Sequence, residues 1–187
     1  MQTPKTRALA LFSLLLALGL AAACDQTEQA NQLVTEMNAH IEKGQELSAQ
    51  ATARSEEIQS KNFEAEREEV RRLGRESADI YGQARDHFGQ AADKAEQASK
   101  LKVQDWFREY LTLKAQQMRR TAEAFDLSAQ EGQAAAGEGT LAEINQKIEE
   151  FEARIEKINQ ENQATLSRIK QLEEEHRTDL KEVQGAK

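Results

Sequence analysis

Acid–base or metal chemistry in this sequence would have to be built from His40, His87 and His176, its three imidazoles, together with 33 acidic residues and the lone Cys24. A di-metal site inside a helical bundle uses two Glu-x-x-His motifs and further Glu residues on facing helices. Glu173 and His176 have that spacing, but Met37 and Ala84 stand three places before His40 and His87, so the second motif is missing. Glu36 and His40 form only an isolated four-apart pair. All three histidines are therefore read as structural or solvated, and neither a metal nor another cofactor is expected. A carboxylate pair acts as acid and base only in an enclosed cleft that separates its two pKa values, which a narrow helical bundle rarely offers. The chain has no Gly-rich phosphate loop and no GxSxG elbow. Cys24 has no His or Lys beside it to activate a thiolate and no second cysteine to pair with. The expectation is that the chain is not an enzyme.

Binding is the other chemistry to look for, and the one unusually apolar stretch of the polar region is VQDWFREYLTLKAQQM, residues 103–118. At helical spacing Phe107 and Tyr110 share a face with Val103, while Trp106 and Leu113 fall on a neighbouring one, so the apolar arc is wider than a two-helix seam requires. The first reading is a core where three helices meet. The second is a partner-binding patch of Trp106, Phe107 and Tyr110, because Trp and Tyr are enriched in interface hot spots. An open cleft at Trp106 and Tyr110 would favour the second reading.

The elements that must position these residues are helices. Charged residues make up 31% of the chain and aromatics 5%, and the single proline is Pro4. Ala, Glu, Gln, Lys and Leu dominate, and these lose little rotamer freedom on a helix. Asp25 and Thr27 can each cap a helix start, with Glu28 three residues after Asp25. Weak breaks are expected around Gly44, around Ser60 to Asn62, where Asn62 can cap the next helix, and around Ser99 to Asp105. The clearest break is GQAAAGEGT, residues 132–140, followed by a Thr140/Glu143 capping box.

Beyond that turn the chain repeats by sevens. Position a holds Leu141, Ile148, Ile155, Asn162, Ile169, His176 and Val183, and position d holds Ile144, Phe151, Ile158, Thr165, Leu172 and Asp179. Asn162 at a core position is of the type that fixes register or strand number. A helix over 140–184 would be roughly 65 Å long. Upstream, Tyr81, Phe88 and Ala95 recur seven apart, each followed by Gln and Ala, which lines one face with small residues and allows close helix approach. The fold class is all-α: an elongated antiparallel bundle or coiled-coil hairpin, with three helices as first choice. The division is 1–23 leader, 24–30 short tether, 31–133 long helical segments, 134–139 turn and 140–184 coiled-coil helix.

The leader has Lys5 and Arg7, then an apolar centre, ALALFSLLLALGL, of 13 residues from Ala8 to Leu20, then small alanines, which is the order of a secretory signal peptide. A bilayer takes about 20 apolar residues to span, so this centre is too short for a permanent transmembrane helix. Ala21, Ala22, Ala23 and Cys24 resemble the lipobox of bacterial lipoproteins, although Ala21 stands where Leu is usual and Leu20 sits one place earlier. The resemblance implies cleavage before Cys24, a diacylglycerol on its sulfur and an acyl chain on its new amino group. Two or three chains hold a protein on a membrane where one is marginal. Asp25, followed by Gln26, resembles the signal that keeps such proteins in the inner membrane. The terminal Lys187, after a lipid-anchored coiled coil, resembles the murein lipoproteins, which implies a bond to peptidoglycan and would favour the outer membrane. Without residues 1–23 the chain has 23 basic and 33 acidic side chains. Arg71, Arg72, Arg119 and Arg120 lie among acids, so nucleic acid is not expected as a partner. The functional expectation is a lipid-anchored, periplasm-facing protein that binds another envelope protein or itself through coiled-coil surfaces. The alternative is a lipid-anchored binding subunit for a small ligand or peptidoglycan that uses residues 103–118.

Overall fold

The computed structural model of the protein describes residues 4–180, with side chains from Gln26 onward. It consists of four α-helices: α1 Pro4–Gln59, α2 Arg67–Ser99, α3 Asp105–Ala135 and α4 Leu141–Glu175. One more helical turn follows at 177–180. The all-α antiparallel bundle expected from composition is present, but with four helices in place of three. Both later breaks foreseen in 31–133 are complete reversals, so that segment supplies α1, α2 and α3.

Local chemistry explains where the chain turns. After α1, the Asn62 Oδ1 accepts the backbone N–H groups of Glu64 and Ala65, each at 3.1 Å, and Glu66 accepts the N–H of Asn62 at 2.9 Å. Ser99 closes α2 by donating to the Glu96 carbonyl at 2.8 Å. Thr140 forms the full capping box: Thr140 Oγ1 accepts the N–H of Glu143 at 3.3 Å while Glu143 accepts the N–H of Thr140 at 2.8 Å. Two expected boundaries are absent. Gly44 interrupts nothing, because it lies inside α1 where its missing Cβ leaves room for the Phe88 ring, which an added Cβ would meet at 2.7 Å. Residues 24–30 form no tether or helix start, since α1 runs through them.

Packing is sequential: α2 lies on α1, α3 on α2 and α4 on α3. The small-residue face of α2 does what its repeat predicts. Tyr81, Phe88 and Ala95 are buried, and Ala84, Ala91 and Ala98 are completely so, while Gln83, Gln90 and Gln97 are exposed. Where α2 crosses α3, Gly74 faces Gly132, and a Cβ on either would meet the other's carbonyl oxygen at 2.7 Å. Gly132, expected to open the turn, is thus a buried packing residue of α3.

Buried residues of α4 all fall on its a and d positions: Ile144, Ile158, Asn162, Thr165, Ile169 and Leu172. Ile148, Phe151 and Ile155 are half-buried and Leu141 is 41% exposed, because the first half of α4 has only α3 to lie against. The main core gathers all four helices at the other end, with Ala30, Val34 and Met37 from α1, Phe88 to Ala98 from α2, Phe107 to Met118 from α3, and Ile169 and Leu172 from α4. The aromatic stretch is therefore a core in which four helices meet.

The ends of the bundle are distinct. At one end the α1–α2 and α3–α4 connections adjoin: Arg67 donates to the Gly139 carbonyl at 2.7 Å and Arg71 to that of Gly137 at 3.4 Å. At the other, Gln26 Oε1 accepts the N–H of Lys102 in the α2–α3 connection at 2.8 Å. The Arg pairs divide their work. Arg72 pairs with Glu69 and Glu76, and Arg119 with Glu96 and Asp93, as expected of solvated faces. Arg71 reaches the turn, and Arg120 bonds Thr165 of α4 at 2.8 Å.

Candidate functional site

The end of the bundle that carries Gln26 holds a cleft of about 330 Å³. Its lining comes from three places: Thr27 and Asn31 on the first turns of α1 after residue 25, Val103, Gln104, Trp106 and Phe107 at the start of α3, and Asp179 beyond α4. Trp106 is half-buried, and its ring lies flat on that of His176, with centroids 4.0 Å apart and planes 4° from parallel. The indole N–H donates to Gln104. His176 Nδ1 lies 3.3 Å from an Asp179 carboxylate oxygen, which ties the end of α4 to the same cluster. The side-chain amide oxygen of Asn31, Oδ1, is buried without a hydrogen-bond partner.

The three aromatic residues proposed as a binding patch do different things. Trp106 and Phe107 line the cleft, although Phe107 is only 6% exposed. Tyr110 lies below it, 5% exposed, with its hydroxyl donating to Glu173 at 3.3 Å. Burial, reinforced by the Glu173 carboxylate, raises the pKa of that phenol above its ordinary value. Lys114 sits over the ring of Tyr110 at 5.4 Å and pairs with Glu173 at 3.3 Å. Tyr110 is thus a core residue that locks α4 to α3.

The side chains of Cys24 and Asp25, and the whole of Val183 and Lys187, lie outside the described residues. Asn162 is buried in the α3–α4 seam with its Oδ1 unpartnered, beside a second cavity of about 240 Å³ lined by Arg120, Phe125, Ile155 and Ile158 among others. Farther along the seam burial, with Glu152 adding to it, pushes the carboxyl of Glu131 up to about 7. Sequence reasoning missed Thr27, Asn31 and His176 as neighbours of Trp106. The only signal for it was the position of His176 in the heptad seam, since helix order and register decide the rest.

The cleft presents groups suited to binding. It offers an indole face already stacked on an imidazole, amides from Asn31 and Gln104, and one carboxylate. Among the described residues no three His, Cys, Asp or Glu side chains converge as a metal centre, and no helix is long and apolar enough to cross a membrane. The chain matches no protein-family model, no curated protein and no solved structure.

Proposed function

We propose that the protein is a bacterial lipoprotein, cleaved before Cys24 and anchored through it, whose four-helix bundle faces the periplasm as a structural or adaptor module. The observation that carries this reading is the place of residue 26. Gln26 is bonded to the α2–α3 connection, and Thr27 shares a cleft with Trp106 and Asp179. Lipid on Cys24 would therefore hold this end of the bundle against the bilayer. The opposite end, with residues 60–66 and 136–140, would project by the length of α4, whose 35 residues span about 52 Å. The half-buried stripe of Ile148, Phe151 and Ile155 lies on the projecting half, where an envelope partner or a second copy can reach it. Asp25 and Gln26 favour the inner membrane. A bond from Lys187 to peptidoglycan is the weaker suggestion, because Asp179 lies at the anchored end and not at the tip.

Cys24→Ala tests the anchor. The variant is expected to accumulate as an unprocessed precursor without lipid; unchanged metabolic lipid labelling, or an unchanged mass of the mature amino terminus, would refute it.

The cleft at Trp106 supports a second reading, a lipid-anchored binding subunit for a small ligand or peptidoglycan fragment. The chain has one tryptophan, so titration with a soluble muropeptide should shift Trp106 emission. A flat response up to millimolar ligand would count against binding there.

A further inference from the structure

His40 of α1 and His87 of α2, 47 residues apart in the chain, bring their Nδ1 atoms within 3.1 Å, with ring centroids 5.4 Å apart and planes tilted by 39°. Both residues are half-buried. Two imidazole nitrogens this close cannot both carry a proton, since two N–H groups would point at each other. Burial, followed by the nearby His87 and Lys94, lowers the pKa of His40 below its ordinary value, so its neutral form is favoured. The other charged groups at the pair are Glu36, one turn before His40 on α1, and Lys94 on α2. These two form an ion pair at 2.6 Å, so the cation nearest the histidines is already balanced.

We propose that His40 and His87 form a two-imidazole chelate for a divalent transition metal, copper or zinc, which staples α1 to α2. Metal–nitrogen bonds of about 2.0–2.1 Å place two ligand nitrogens about 3.3 Å apart at a tetrahedral angle and about 2.9 Å apart at a right angle. The observed 3.1 Å lies between these values, so the spacing suits a chelate once the rings turn both Nδ1 lone pairs toward one ion. No third His, Cys, Asp or Glu joins the pair among the described residues. Two protein ligands are one fewer than an open zinc site supplies, so water or an outside donor would fill the remaining coordination positions. The consequence falls on α1, an edge helix that packs chiefly on α2: a metal between them would clamp it in register.

The test uses the untagged full chain with Cu2+ alone and Zn2+ alone near pH 7.5. One ion should bind per chain, and the Cu2+ electron paramagnetic resonance spectrum should show two imidazole nitrogens. His40→Gln and His87→Gln should each weaken binding by more than the roughly 10–100-fold that loss of an outer-shell partner costs, whereas His176→Gln should not. Zn2+ should raise the Tm of the parent chain by about 5 °C or more, and of neither His40 nor His87 variant. At pH 5.5 affinity should fall, because metal binding competes with protons for its ligands. Absence of 1:1 binding, a single-nitrogen spectrum, or affinity retained in both variants would overturn the proposal. The spectrum and the Tm shift of the parent chain decide the matter even if a variant folds poorly.

Discussion

Asn162 shows how much one side chain can matter in a thin seam. It sits at an a position, 8% exposed, with its Oδ1 unpartnered beside a cavity of about 240 Å³. A buried acceptor without a partner costs about 1–3 kcal/mol, and the cavity forfeits further contacts. Asn162→Leu removes the polar group and fills space toward Ile155 and Ile158. We expect the variant to be more stable by about 1–3 kcal/mol in urea or thermal melts; a lower midpoint would show that Asn162 makes a contact worth more than its desolvation. The heptad repeat identified this residue as a core polar position. It did not say which helix it faces, and that helix is α3, through the cavity shared with Arg120 and Phe125.

At the scale of elements, the glycines separate local propensity from packing. Gly74 and Gly132 face each other where α2 crosses α3, whereas nothing lies within 4 Å of a Cβ built on Gly82 or Gly89. Alanine is the better helix former by about 1 kcal/mol, but a methyl forced against backbone pushes the helices apart at about 1–3 kcal/mol. Gly74→Ala and Gly132→Ala should therefore lower stability by about 1–3 kcal/mol, while Gly82→Ala and Gly89→Ala should raise it by up to about 1 kcal/mol. Chemical denaturation of the four variants checks the sign at each site, and equal effects would refute the close crossing. All four glycines weaken a helix equally when read along the chain. Only the neighbouring helix distinguishes them, and the same holds for Gly44, which was a candidate break and is a seat for Phe88.

For the whole molecule the decisive feature is which end carries which residues. Gln26, the α2–α3 connection, Trp106, His176 and Asp179 share one end, and the Arg67–Gly139 contact marks the other. If Cys24 carries lipid, Trp106 is held close to the bilayer surface. In vesicles bearing the lipidated protein, quencher groups placed near the lipid headgroups should dim the Trp106 emission strongly. The same vesicles should leave a tryptophan moved to Glu138, in a Trp106→Phe background, almost unquenched. Equal quenching at the two positions would mean that the bundle lies along the membrane and does not stand on it.

Helix content, the Thr140 capping box, the Ser60–Asn62 and Ser99–Asp105 breaks, the small-residue face of α2 and the a/d stripe of α4 were determined by the sequence itself. Each rests on residues within one or two turns of one another, where capping, propensity and periodicity act. The helix count was misread because a weak break and a full reversal look alike until packing rewards the reversal. Tertiary structure alone decided that Trp106 meets His176, that Gly74 meets Gly132, that Asn31 and Thr27 border the cleft, and that His40 meets His87. The three pairs lie 47 to 70 residues apart and Thr27 and Asn31 still farther from Trp106, and all are set by the relative register of α1, α2, α3 and α4. That register follows from the summed fit of whole helix faces, which no local motif records.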